Sequence, residues 1–222
     1  MAHTRARGCD VTVAGELLTL LPSRAIWWER RRTLIVADLH IGKEQTFQSF
    51  GIPMPSSVLD ETLNRLDALL GHFGAERLLV VGDLLHAKRG LTPDVIDRVG
   101  AWRVRFAGQV DLVLGNHDRC AAMPESWNMR CIHDALREPP FSFQHEPPGE
   151  QCGSDVYTIS GHLHPMVRLE GRVDSLLLPC FVIGAQVAVL PAFTPFARGV
   201  RMHTDTGRIF AVAAGDVIEV RP

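Results

Sequence analysis

Five short clusters combine carboxylate, amide and imidazole side chains in a pattern that suits divalent cations. They are Asp38-Leu39-His40, Gly82-Asp83, Gly115-Asn116-His117-Asp118, the lone His145, and Gly161-His162-Leu163-His164. Each ends a short apolar run, at 34–37, 78–81, 112–114, 141–144 and 156–159 respectively. Asp38, His40, Asp83, Asn116, His145, His162 and His164 offer two carboxylates, one amide oxygen and four imidazoles. Such a mixed set fits Mn2+, Fe2+ or Zn2+ better than Ca2+ or a largely hydrated Mg2+. It also exceeds what one ion needs. Two ions about 3.5–4 Å apart, sharing one carboxylate, would use every ligand.

Strand ends are where α/β folds bind ligands. In Asp38-x-His40 and His162-x-His164, an extended chain would point both side chains to one side. The glycines before Asp83, Asn116 and His162 allow sharp turns and a close approach of backbone to the site. A single His or Asp at a strand end is ordinarily a cap or a surface group, but five such clusters in one chain weigh against that reading. His145 has no local signature, and His133 is its competitor. The position of His145 at a strand end, shortly before the 161–164 cluster, favours it. His3, His72 and His203 lack any such context and read as surface residues.

The elements that must position these residues are legible in part. Leu59, Leu63, Leu66 and Leu70 follow Pro53-Met54-Pro55-Ser56 and define one helical face, closed by Gly71 and Gly74. A second helix starts at Thr92-Pro93-Asp94, with a Thr cap, Pro in the first turn and an early acid. Its face is Val95, Val99, Trp102 and Phe106. Strands alternate with helices up to about residue 115. Beyond it the chain is mostly strands, at 141–144, 156–159, 176–183, 187–190, 209–213 and 217–220. The expectation is an α/β fold of two packed sheets flanked by helices, in one domain spanning 1–222.

Hydrophobic residues make up 46% and charged residues 22%, which suits a globular enzyme rather than a disordered chain. A net charge of −2 gives no global pull toward nucleic acid or anionic membrane, so any positive charge facing a polyanion must be local. Cys9, Cys120, Cys131, Cys152 and Cys180 form no CxxC pair. Their odd number argues against a disulfide framework and for a reducing cytoplasmic location. The polar start of the chain is no signal peptide. The apolar stretch from about 176 to 193 is too interrupted for a membrane span. The stretch 146–154, with Pro147-Pro148-Gly149, reads as a surface loop. Neither a GxSxG nor a Walker-type loop is present.

The ordered set DxH, GD, GNHD, His and GHxH resembles the calcineurin-like metallophosphoesterase superfamily. That resemblance implies its sandwich fold and assigns Asp38, His40 and His164 to one metal. Asn116, His145 and His162 would hold the second, with Asp83 bridging; Mn2+ comes first, with Fe2+ or Zn2+ as alternatives. His117 would bind no metal and would face the substrate as proton donor, oriented by Asp118. A narrower resemblance is to the bacterial ligase-associated DNA-damage-response metallophosphoesterases. It rests on the segments 37–44 and 51–55, on 161–165, on Arg168-Leu169 and Gly171-Arg172, and on 178–181 and 190–193. It implies a DNA endonuclease in repair, functionally associated with a DNA ligase, a helicase and a nuclease, and no membrane partner. The stretch 194–199 departs from that family's glycine-rich pattern and falls on no ligand. Gly82-Asp83-Leu84-Leu85-His86 is similar to the Mre11-type nucleases, which makes His86 a substrate-side residue or, equally, a hydrogen-bonding support for a ligand.

Each motif loop except that of His145 carries a cation just past its ligands: Lys43, Lys88 with Arg89, Arg119, and Arg168. If the strands end together, these would rim one mouth with positive charge. Two other functions compete with a DNA phosphodiesterase. One is a small-molecule phosphatase or nucleotide pyrophosphatase of the same superfamily, which would want a capped apolar pocket. The other is a non-catalytic scaffold, which usually loses ligands; none is missing here.

Overall fold

The computed structural model describes residues 8–149, 156–171, 173–203 and 206–221. His3, Cys152, Arg172 and the distal part of the 146–154 loop lie outside the described residues. Fifteen strands are described: β1 Cys9–Val13, β2 Glu16–Leu21, β3 Ala25–Trp28, β4 Thr33–Val36, β5 Arg77–Val81, β6 Gln109–Val113, β7 Arg130–Ile132, β8 Leu136–Glu138, β9 Phe141–Phe143, β10 Tyr157–Ser160, β11 Met166–Glu170, β12 Ser175–Ile183, β13 Val187–Val189, β14 Arg208–Ala213 and β15 Asp216–Val220. The α-helices are α1 Lys43–Ser49, α2 Val58–Phe73 and α3 Pro93–Arg105. Among the described residues, no helix is long and apolar enough to cross a membrane.

One sheet runs β1-β2-β3-β4-β5-β6-β7, antiparallel up to β4 and parallel from β4 to β7. The other runs β15-β14-β12-β13-β10-β9-β8, with β11 paired to β12. In the second sheet β9, β10 and β13 are mutually parallel. The period-2 alternation of the buried strands sorts their side chains into two layers. Leu34, Val36, Leu78, Val80 and Leu112 pack against α2 and α3. Ile35, Leu79, Val81 and Val113 face the second sheet, where Phe141, Phe143, Ile159, Phe181 and Phe210 meet them. The outer face of the second sheet carries a smaller cluster, including Val167, Cys180 and Val182. The two long helices therefore flank only the first sheet.

The helix signals operate as the residues suggest. Thr92 caps α3 by accepting from the Val95 amide, with Pro93 in the first turn. Gly74, at φ 56, ends α2 in the left-handed conformation, and the Ala75 amide reaches back to Leu70. Gly71 lies inside the last turn of α2 rather than beyond it. Asp111 occupies an inward position on β6, yet it is fully buried. Arg77 Nε and Arg130 Nε close on its carboxylate at 2.7 and 2.8 Å, and Gln109 donates as well. Those partners hold its pKa below the usual carboxylate range, although burial alone would raise it.

Candidate metal centre

The parallel register of β4, β5 and β6 sets their C-terminal ends side by side. Each strand then breaks into a ligand loop. The Asp38 amide donates to Gly82 O and the His40 amide to Asp83 O, both at 3.0 Å, so the first two loops run together past the sheet edge. In the second sheet, the Gly161 amide donates to His145 O at 3.0 Å, which aligns the ends of β9 and β10. All five ligand-bearing segments meet at one end of the sandwich.

The backbone does not stay extended there. Asp38, His40, Asp83, His162 and His164 have φ of 57°, 51°, 49°, 68° and 48°. The expectation that an extended chain aims each D-x-H and H-x-H pair is therefore corrected: both members of each pair sit in the left-handed region. Five non-glycine residues in that sparsely populated region at one place hold their conformation only because the surrounding structure fixes it. The glycines do what their positions suggest. A Cβ on Gly115 would meet Asp83 Oδ1 at 2.1 Å, and one on Gly161 would meet Asp38 Oδ2 at 2.7 Å. Gly82 has φ +82, and a Cβ there would strike His145 Nδ1 at 2.0 Å.

The seven ligand candidates fall into two adjoining groups. His40 Nε2 lies 3.3 Å from His164 Nε2, which lies 3.5 Å from Asp38 Oδ1. His145 Nε2 lies 3.0 Å from Asn116 Oδ1, 3.0 Å from His162 Nδ1 and 3.4 Å from Asp83 Oδ2. Two donors on one ion, each at about 2.0–2.2 Å, sit roughly 2.8–3.6 Å apart for angles between tetrahedral and octahedral. The observed separations fit that range, and so does the donor chemistry. His145 is buried, whereas His133 is exposed and takes no place in either group. His72 and His203 are exposed as well.

Burial decides the protonation of several of these groups. His40 is pushed down to about 3, first by burial and then by the positive neighbours His164, Lys43 and His117, against the pull of Asp83. Burial also raises Asp38. At His145 and His164 burial lowers the pKa, but the hydrogen bonds and charges of Asp83 and Asp38 outweigh it and raise both. A bound cation needs neutral imidazoles and ionised carboxylates, so it would take over the role these protons play.

His117 lies beside the two groups. Its Nδ1 donates to His86 O at 2.5 Å, its amide donates to Asp83 Oδ1 at 3.0 Å, and its Nε2 stands 3.9 Å from Asp83 Oδ2. The His86 ring is nearly parallel to that of His117, at 5.5 Å and 18°, and also stacks with Phe47 at 5.7 Å and 29°. His86 is pushed down to about 4, chiefly by burial, with Lys43 and His117 adding to it. Asp118 is buried and accepts from the amides of Leu85, Gly115 and Leu84 at 2.8, 2.9 and 3.3 Å. Its carboxylate thus ties the Asp83 loop to the Asn116 loop. The orientation of His117 comes from the His86 carbonyl instead, which corrects the role given to Asp118.

Further support comes from backbone carbonyls, which carry no sequence signal. His164 Nδ1 donates to Arg198 O at 2.8 Å, and Lys43 Nζ donates to Phe196 O at 2.6 Å. The divergent stretch 194–199, expected to fall on no ligand, therefore holds one through its backbone. Phe193 and Thr194 donate to Ala37 and Asp38 and so brace the first ligand loop. Of the expected rim cations, Lys88 and Arg89 are exposed just past His86. Arg119 shares a cavity of about 260 Å³ with His145. Lys43 is partly buried under its carbonyl. Arg168 lies on β11 and faces Glu170 at 3.7 Å. A cavity of about 920 Å³ lies at the opposite ends of β9 and β10, where Pro140, Tyr157 and Arg208 line it, and it holds none of the ligand candidates.

Cations held in such a frame offset the negative charge on phosphoryl oxygens and acidify water, the two needs of phosphate-ester hydrolysis. By fold and site the molecule is a metal-dependent phosphoesterase. It belongs to the calcineurin-like phosphoesterases, whose family profile matches residues 31–179 and so spans every ligand candidate. Among solved structures it is similar to the nuclease MPE of Pseudomonas putida, with 34% identity over 96% of this chain and 100% of that one and a TM-score of 0.82. Yfce, a phosphoesterase from E. coli, shares 14% identity over 80% of this chain and 86% of its own, with a TM-score of 0.40. The protein AQ665 of Aquifex aeolicus, of unknown function, shares 17% over 59% and 77%, with a TM-score of 0.38. No curated protein sequence matches the chain.

Proposed function

We propose that this chain is a DNA phosphodiesterase that cuts within a strand and works with two divalent ions, Mn2+ first among them. The observation that carries the reading is the pair of adjoining ligand groups at one end of the sandwich, in a fold that matches a Pseudomonas putida nuclease over 96% of the chain. Asp38, His40 and His164 would hold one ion and Asn116, His145 and His162 the other, with Asp83 between them. Bound there, the ions supply Lewis-acid charge and a water acidic enough to attack near neutral pH.

The chain's own residues do the rest. Because His117 Nδ1 is committed to the His86 carbonyl, the proton His117 exchanges is the one on Nε2. That edge belongs to a side chain that is 37% exposed, so it faces incoming substrate and donates to the departing alkoxide. His86 holds His117 by carbonyl and ring, and any direct contact of its own with the phosphodiester rests on the Mre11-type resemblance. Lys88, Arg89 and Arg119 supply local positive charge for a polyanion despite the net charge of −2. The Arg89 guanidinium lies 4.8 Å from the ring of the exposed Phe50, a flat cationic surface suited to a nucleobase.

Among the described residues, the cavity at His145 is mostly polar, whereas one of about 230 Å³ beside His164 is lined largely by proline and apolar side chains. The cavity at His145 is lined also by Arg119, Asp134, Gln144 and Glu146. The test is to load the chain with Mn2+ and offer single-stranded, nicked and flap DNA beside bis(4-nitrophenyl) phosphate, a phosphomonoester and a nucleotide pyrophosphate. Cleavage of DNA and of the diester is expected. Turnover of the monoester or the pyrophosphate with DNA left intact would assign the chain to the small-molecule branch of the superfamily.

A further inference from the structure

Metal-bound histidines as a rule donate their second ring nitrogen to a carboxylate, a carbonyl or a water, which fixes the tautomer and aims the ring. Two of the ligand candidates follow that rule with backbone carbonyls. His164 Nδ1 reaches Arg198 O at 2.8 Å, and His145 Nδ1 faces Val81 O at 3.4 Å. His40 does not. Its Nε2 faces the His164 ring, while its Nδ1 is buried without a hydrogen-bond partner.

An acceptor without a partner lies nearby. Glu44, four residues on and in the first turn of α1, is 1% exposed. Its Oε1 accepts from Gln45 Nε2 at 2.7 Å, but Oε2 is buried and unpartnered. A carboxylate oxygen buried in that state carries a heavy desolvation cost. Both residues line one small cavity of about 10 Å³, together with Gly42, Lys43, Thr62 and the apolar side chains of Leu39, Ile41, Val58 and Leu59; the Lys43 ammonium itself is engaged by Phe196 O. That volume is about what one water needs, and a buried water also needs two to four polar partners. His40 Nδ1–H as donor, Glu44 Oε2 as acceptor and the Thr62 hydroxyl oxygen supply them.

We infer that Glu44 is a positioning residue for the metal centre: through one buried water it holds His40 in the Nδ1–H tautomer, with Nε2 presented to the cation. The lone donor and the lone acceptor in one cavity then satisfy each other. The carboxylate also makes the imidazole a stronger ligand, as acidic partners of metal-bound histidines do. The inference rests on the reading of Asp38, His40 and His164 as one metal site.

Its test is Mn2+ binding by calorimetry to the wild-type chain and to Glu44→Leu, Glu44→Gln and His40→Ala, with 15N NMR of the histidine rings in the metal-free state. Glu44→Leu should weaken one of the two sites by about 10–100-fold, the usual effect of losing such a partner, and leave the other unchanged. Glu44→Gln, which keeps an acceptor oxygen, should recover most of the loss. The His40 ring should be the Nδ1–H tautomer in the wild type and a mixture in Glu44→Leu. A purely structural role would lower thermal stability in Glu44→Leu without a selective change at one site, and that result overturns the inference. Unchanged binding in Glu44→Leu beside a lost site in His40→Ala would overturn it while sparing the metal site. Two intact sites in His40→Ala would instead remove His40 from the ligands, and the inference with it.

Discussion

At the scale of single residues, the chemistry was visible because ligand types are encoded directly and their order is specific. Asp38, His40, Asp83, Asn116, His145, His162 and His164 converge as their motifs suggested. The conformations that deliver them were not visible, since left-handed φ at five non-glycine residues depends on packing around the loops. The partners of His117, His145 and His164 are backbone carbonyls that no side-chain pattern announces. Asp118 follows the same logic: an acid beside a catalytic candidate suggests a side-chain partner, but three buried amides within reach take both its oxygens. The geometry assigns His117 an exchangeable proton on Nε2. His117→Ala should therefore keep its bound metals by elemental analysis yet lose about 10²–10⁴-fold in turnover of DNA, whose leaving oxygen needs a proton. The loss should shrink for bis(4-nitrophenyl) phosphate, whose leaving group barely needs one. Equal losses on both would point to charge stabilisation in place of proton donation.

At the scale of elements, the buried parallel strands and the two long helices could be read from apolar runs, caps and 3.6-residue periodicity. The short pieces could not. β7 and β8 have three residues each, too few to show alternation, and α1 reads Lys-Glu-Gln-Thr-Phe-Gln-Ser with no apolar face. The β1–β2 hairpin turns at Ala14-Gly15, both at positive φ, and an alanine there gives little warning of such a turn. Inside the first sheet, Asp111 is a charged residue at a fully buried strand position and works through its arginines. Its pKa lies below the ordinary value, so its contribution to stability is fully present above the unfolded pKa of about 4 and is lost as pH falls through the lower folded value. Asp111→Asn should cost roughly 1.5–3 kcal/mol at pH 7 by removing a charge-assisted partner of Arg77 and Arg130, although Arg77 keeps its pair with Glu138, and its stability should fall less than that of the wild type as pH drops below about 4. Thermal unfolding across that range checks both, and a variant as stable as wild type at pH 7 would show that the network contributes nothing net.

At the scale of the whole molecule, a nearly neutral chain concentrates its chemistry at one end of a two-sheet sandwich. Parallel strands of both sheets end there, α2 and α3 support one sheet from behind, and the 190–198 segment braces the first ligand loop from the side. Asn116 is exposed there, Lys88 and Arg89 are exposed in the loop that follows His86, and Arg119 lines a cavity with His145. A site with such local positive charge suits a strand that passes across it, and it needs no DNA end. The most direct measurement is the cleavage of a covalently closed single-stranded DNA circle, with and without Mn2+. The expected result is metal-dependent conversion of circles to linear strands and then to shorter fragments, abolished by chelation. Circles that stay closed while the same metal-loaded preparation hydrolyses bis(4-nitrophenyl) phosphate would contradict the account.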